Sequence, residues 1–250
     1  MHYILFIFLI LAIVGYIAYK KQNSKNQDNY VADYLGSIFK PGTKFVASDT
    51  IDKPKSFGYK LLWFAVKNAS KQEIINLLEL SALGQSNWAN GVNQAYDNRI
   101  FVTPEIEGWT LVCGNGLLHK LDKENEDVEL LNKLSSKFGE AQYFYTHRVT
   151  EYHIWAKSIN GKLERYYSYI GEQSENLKIE GNPTEVEKGK KLVNTFSEDA
   201  KKDTYFEDET LVTPDEELVM EIAEDWSINP TEIEKYTNFK NEYGIVCEIK

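Results

Sequence analysis

The first apolar run of the chain, Ile4 to Tyr19, reads ILFIFLILAIVGYIAY and contains no charge, proline, asparagine or glutamine. At about 1.5 Å per residue it makes a helix close to the minimum spanning length, and it is apolar all round, unlike the one-sided pattern of a helix packed on a core. Only His2 and the amino terminus precede it, whereas Lys20, Lys21 and Lys25 follow. That order is the reverse of a cleaved signal peptide, and it places the C-terminal side in the cytoplasm. Residues 1–21 are therefore expected to anchor the protein, with residues 3–19 in the bilayer of an inner (cytoplasmic) membrane. The anchor is single-pass and the rest of the chain faces the cytoplasm. Residues 22–29, QNSKNQDN, form a short polar tether, and residues 30–250 a single domain.

Past the tether, apolar positions 30, 31, 34, 35, 38 and 39 mark one face of a helix closed by Pro41-Gly42. The run 59–66, YKLLWFAV, reads as a strand. Ser70 with Glu73 is a capping box opening a helix. Segments 100–102 and 109–113 read as strands, 126–138 as a helix and 142–147 as a strand. Segments 151–158 and 163–170 form a hairpin around Asn160-Gly161, a dipeptide suited to the positive φ angles of a type I′ turn. The acid-rich stretch 198–217 reads as a solvated loop. Thr213 caps a helix that ends near Trp226, Asn229-Pro230-Thr231 opens a short second one, and 245–249 is a closing strand. The pattern predicts an α+β domain of antiparallel strands with packed helices. The element order strand, helix, strand, strand suggests a degenerate duplication of residues 59–113 in 109–170.

Sixteen Tyr, twelve Phe and five Trp strengthen the expectation of a large sheet. Charge changes the picture more. Beyond residue 21 the chain carries 26 basic against 38 acidic residues, a balance of about −12 that repels phosphate backbones, so nucleic acid is not an expected partner. Cys113 and Cys247 each lie inside an apolar run and read as buried free thiols.

Motifs for standard chemistry fail at defined positions. In GNGLLHK, Gly114 to Lys120, His119 occupies the position where a phosphate loop needs glycine. The nearest nucleophile elbow, Gly84 to Trp88, ends on tryptophan instead of glycine. No Cys-x-x-Cys or His-Glu-x-x-His occurs, so no metal or cofactor is implied. Two clusters carry candidate chemistry. In THRVTEYHIWA, a continuous strand would put His147, Glu151, His153 and Trp155 on one face, with Arg148 and Tyr152 on the other. Glu151 and His153 would then lie roughly 7 Å apart, a spacing at which a carboxylate and an imidazole orient a water or exchange a proton. In SNWANGVNQAYDN, aromatic residues mixed with amides have the composition of an adaptable recognition loop, with Trp88, Asn90, Asn93 and Tyr96 as binding candidates. Core burial is the ordinary reading of Trp88, Trp109, Trp155 and Trp226.

Several blocks together resemble an uncharacterised family of bacterial proteins: FVTP and GWTLVCG at 101–114, FGEAQYFYTHRVTEYHIWA at 138–156, YSYIGE at 167–172 and DEELVMEIAEDWSINPT at 215–231. The resemblance spans most of residues 58–235. It implies no activity and brings no catalytic residues; the membrane anchor and the final strand are not part of it. The function expected is a membrane-tethered binding or protein-interaction module with a protein partner, a basic one given the acidic balance. The alternative is an enzyme built on the Glu151/His153 strand cluster with His147 or Arg148.

Overall fold

A computed structural model describes residues 42–121 and 125–250. The expected anchor, tether and helix over 30–39 lie outside the described residues. Among the described residues no helix is long and apolar enough to cross a membrane. The elements follow in the order β1 (Leu61–Lys67), α1 (Lys71–Leu77), β2 (Leu80–Ser86), α2 (Trp88–Tyr96), β3 (Ile100–Val102) and β4 (Trp109–Cys113). After a 3-10 helix, Asn115–Lys120, come α3 (Glu126–Phe138), β5 (Glu140–His147), β6 (Tyr152–Ile159), β7 (Lys162–Ile170) and β8 (Glu175–Gly181). Short strands β9 (Lys191–Leu192) and β10 (Leu211–Val212), helix α4 (Glu216–Trp226) and β11 (Gly244–Ile249) complete the chain.

Nine strands form one antiparallel sheet in the order β2-β11-β3-β4-β1-β5-β6-β7-β8, and β9 pairs with β10 in a small parallel ribbon. The architecture is thus α+β with a large antiparallel sheet and few helices. Its central strand β1 has six successive buried residues, Leu61 to Val66, because the sheet is covered on both sides. Leu61, Trp63 and Ala65 enter the core under α2, α4 and the chain around Val193, Tyr205 and Ile233. Leu62, Phe64 and Val66 enter a second core under α1, the 3-10 helix and α3. Phe144 of β5 stacks on Trp63 with ring centroids 5.1 Å apart, and on the other face Tyr143 stacks on Phe64 at 4.9 Å.

Local signals explain most boundaries. Ser70 caps α1, its hydroxyl accepting from the Glu73 amide and bonding the Glu73 carboxylate at 2.7 Å. Asn160 and Gly161, at φ +50° and +81°, close the β6–β7 hairpin. Cys113 and Cys247 are buried free thiols in opposite cores. The four tryptophans weighed from sequence are all buried, as is Trp63.

Three expectations are corrected. The cap of α4 is Asp215, whose carboxylate accepts from the Leu218 amide at 2.8 Å, and not Thr213. The stretch 198–217 is not one open loop: 3-10 turns at Asp199–Lys201 and Tyr205–Glu207 precede β10, which pairs with β9. The repeated element order does not hold, because β2 and α2 intervene between α1 and β3 and have no counterpart between α3 and β5.

Candidate functional site

The histidine cluster lies where β5 turns into β6, and the turn decides its geometry. β5 ends at His147 and β6 begins at Tyr152, so the two strands pair as a hairpin with Thr146 opposite His153 and His147 opposite Tyr152. The continuous strand required for one shared face does not exist. Alternation from Phe144 puts Thr146 and His153 on the α4 side of the sheet, while His147 shares the α3 side with Tyr145, on whose ring it stacks at 6.3 Å. The two imidazoles therefore face opposite layers.

Each imidazole is locally satisfied. His153 Nδ1 lies 3.0 Å from the Thr146 hydroxyl, and His147 Nδ1 lies 3.0 Å from that of Thr150. Burial pulls His153 down to about 4, with a further push from His147 and only partial opposition from the Asp215 carboxylate. Burial, then the nearby Lys60 charge, also holds His147 below the ordinary histidine value. Both rings are neutral at pH 7. Glu151 sits at φ +48° in the turn, exposed, with its carbonyl accepting from Gly171 N at 3.0 Å. Its side chain lies over Gly171, where an added Cβ would come within 2.1 Å of the carboxylate. No hydrogen bond or ion pair joins Glu151 to His153 among the described residues.

Arg148 points elsewhere again. It ion-pairs with Glu216 at 3.2 Å and lies over the Tyr59 ring at 5.1 Å. Tyr96 reaches the backbone of the same residue, its hydroxyl donating to the Tyr59 carbonyl at 3.0 Å and accepting from Gly58 N at 3.2 Å. One candidate from each cluster thus meets at Tyr59.

The other binding candidates are structural, because the expected recognition loop is helix α2. Asn87 caps it through the Asn90 amide at 3.0 Å, and Gly91 lets the helix approach the Phe101 ring, which a Cβ would overlap at 2.3 Å. Trp88 is in the core, edge-on to Phe101. The Asn90 side chain donates to the Val46 carbonyl at 2.9 Å and so ties segment 46–48 to the domain. Asn93 is exposed.

Two polar arrangements escaped the sequence reading. On the α3 side the hydroxyl of Tyr166 bonds Asp127, with Tyr143, Tyr145 and Tyr152 close by. On the α4 side Glu187 is fully buried and receives Arg165 Nε at 3.0 Å, Trp155 Nε1 at 3.1 Å and both the amide and the hydroxyl of Thr184 at 2.8 Å. Alternation in YFYTH and YYSYI hinted at the first; nothing local hints at the second, which joins residues 22 apart. A tension remains in the core: the Trp63 indole N–H is buried without a hydrogen-bond partner, which costs about 1–3 kcal/mol.

Chemically, this arrangement orients and stabilises side chains: each imidazole is held by its own threonine on opposite layers of the sheet, and Glu151 lies over Gly171. No family model, curated protein or solved structure matches the chain. The block resemblance accordingly adds no residue to the site.

Proposed function

We propose that the protein is a membrane-tethered binding module whose acidic domain recruits a basic protein partner at the cytoplasmic face of the inner membrane. The observation carrying this reading is the balance of about −12 outside the first 21 residues, a field that attracts basic partners and speeds their encounter. The apolar run 4–19, followed by lysines, supports a single spanning helix ahead of the α+β domain. An enzyme using Glu151 and His153 has less support, because His147 and His153 face opposite layers and Glu151 lies along Gly171.

The test is purification of the tagged full-length protein from its host in mild detergent, at low and at high salt. A stoichiometric basic protein retained at low salt and lost at high salt is the expected result. Purification alone at both salts would overturn the reading. Alkaline extraction of membranes checks the anchor: the full chain stays in the pellet and residues 30–250 appear in the supernatant.

A further inference from the structure

β8 is an outer strand of the sheet, and around it three large apolar side chains stand in solvent. Leu177 is the extra residue where the β7–β8 register shifts, and it is 49% exposed; Phe196 and Phe206 are 61% and 54% exposed. Their surroundings are tightly held. Asn176 N donates to the Thr195 hydroxyl and Thr195 N to the Asn176 side chain, both at 2.9 Å, which fastens the chain leading into Phe196 to β8 next to Leu177 in sequence. Asn194 N donates to the Tyr205 hydroxyl at 2.7 Å, Tyr167 donates to the Val193 carbonyl at 2.7 Å, and Phe206 packs edge-on against Tyr205 at 5.0 Å. Ordered scaffolding that leaves three apolar side chains uncovered has the character of an interaction surface with its ordering cost already met.

The charge around this surface indicates what covers it. Residues 172–210 hold eleven acidic and six basic residues. Glu198, Asp199 and Asp208 are neutralised by Lys201, Lys202 and Lys191. Asp203, Glu207 and Glu209, on either side of Phe206, are exposed and have no ion pair among the described residues. Phosphate and anionic lipid are repelled by such a rim, whereas a Lys- or Arg-rich peptide is attracted.

We infer that the β8 edge, with Leu177, Phe196 and Phe206 as apolar anchors and Asp203, Glu207 and Glu209 as the charged rim, docks a basic protein segment carrying apolar side chains. This rests on the partner class proposed above and adds the surface that receives it. The apolar contacts hold the segment; the acids select for its charge and accelerate its arrival.

The experiment uses the full-length protein in nanodiscs of zwitterionic lipid and a fluorescent twelve-residue peptide of alternating Lys and Leu, followed by anisotropy. The Lys/Ser peptide is the control. The expected result is saturable binding of the Lys/Leu peptide, weakened at least tenfold by F196S/F206S. The rim variant D203N/E207Q/E209Q should bind several-fold more weakly, with a shallower salt dependence. Leu177→Arg serves as an independent second variant, since it leaves the Phe206–Tyr205 contact in place. Absence of binding by the wild type overturns the proposal, as does binding by both F196S/F206S and Leu177→Arg within twofold of wild type. The two readings fail separately: a salt-sensitive native complex that survives these substitutions removes this surface and keeps the partner class. The absence of any native complex removes the partner class itself.

Discussion

Glu187→Gln changes one buried oxygen to an amide and should unfold a large fraction of the protein's stability. The Glu187 side chain is completely buried and Arg165 is 3% exposed. Both carboxylate oxygens are crowded with donors: Oε1 receives Arg165 Nε and Nη2 and Trp155 Nε1, and Oε2 receives both Thr184 donors and shares Arg165 Nε at 3.2 Å. A glutamine must point its NH2 at one of these donor sets, and it leaves the guanidinium without a counter-charge. Breaking a buried pair from one side costs about 3–5 kcal/mol, against a total stability of about 5–15 kcal/mol for a typical domain. Arg165→Met with Glu187→Leu should lose less than Glu187→Gln alone, since no charge is then left buried. Urea unfolding at pH 7, read by tryptophan fluorescence, measures both; Trp155 stacks on Tyr167 at 4.3 Å and reports on this region.

The same pair has a pH signature. Burial alone would raise the Glu187 carboxyl, but the Arg165 and Thr184 bonds outweigh it and hold it below the ordinary value. Below about pH 4.3 the unfolded glutamate therefore takes up a proton before the folded one does, so the stabilisation fades as pH falls. Glu187→Gln should flatten that acid limb. A loss under about 1 kcal/mol, or a double variant weaker than the single one, would refute the assignment of Arg165 and Glu187 as a mutually dependent buried pair.

His153 supplies a separate limb at higher pH. Its folded value of about 4 lies below the unfolded 6.5, so the unfolded state binds the extra proton between them, and stability is full above about 6.5 and declines toward 4. The loss is on the order of 2–3 kcal/mol, and His153→Gln should flatten urea midpoints across that interval while leaving the Glu187 limb in place. Gly114 should resist substitution: at φ +139° an added Cβ would lie 2.0 Å from the Arg99 carbonyl oxygen. Gly114→Ala is expected to cost about 3 kcal/mol or more by the same unfolding assay, through overpacking and backbone strain together.

Elements with strong local chemistry were legible: β1 from its apolar run, α1 from Ser70 and Glu73, the β6–β7 hairpin from Asn160-Gly161. β2, LSALGQS, was not, because four of its seven residues are small or glycine and its pairing partner β11 lies over 150 residues away. α2 was hidden by helix-poor Asn and Gly residues; the Asn87 cap and the fit of Gly91 against Phe101 override that weakness. β8, ENLKIEG, alternates poorly because it is an exposed edge with a bulge. The histidine cluster misled for a related reason. Spacing in sequence translates into a shared face only along an unbroken strand, and the turn at 148–151 reverses the chain between His147 and His153.

The same architecture limits where binding can occur. Helices and loops cover both faces of the sheet over β1, β4 and β5, so a partner of the proposed kind would have to meet the protein at its edges and connections. At one edge, β2 is already engaged by segment 46–48, with Ser48 N donating to the Gln85 carbonyl at 3.1 Å and the Gln85 side chain donating back at 2.9 Å. At the other, the Asn176 amide of β8 donates to the Thr195 hydroxyl and the Lys178, Glu180 and Gly181 carbonyls accept from the Ser168 and Arg165 side chains of β7, but no strand pairs with its outer side among the described residues. Edges left open in this way invite strand addition unless blocked by charge or irregularity. β8 has both, in Lys178, Glu180 and the bulge at Leu177, so a passing strand of mixed composition is disfavoured. If a basic segment with apolar side chains docks here as proposed, the acids without ion pairs and the exposed Leu177, Phe196 and Phe206 would make the rim a filter on the partner as well as a guard on the edge.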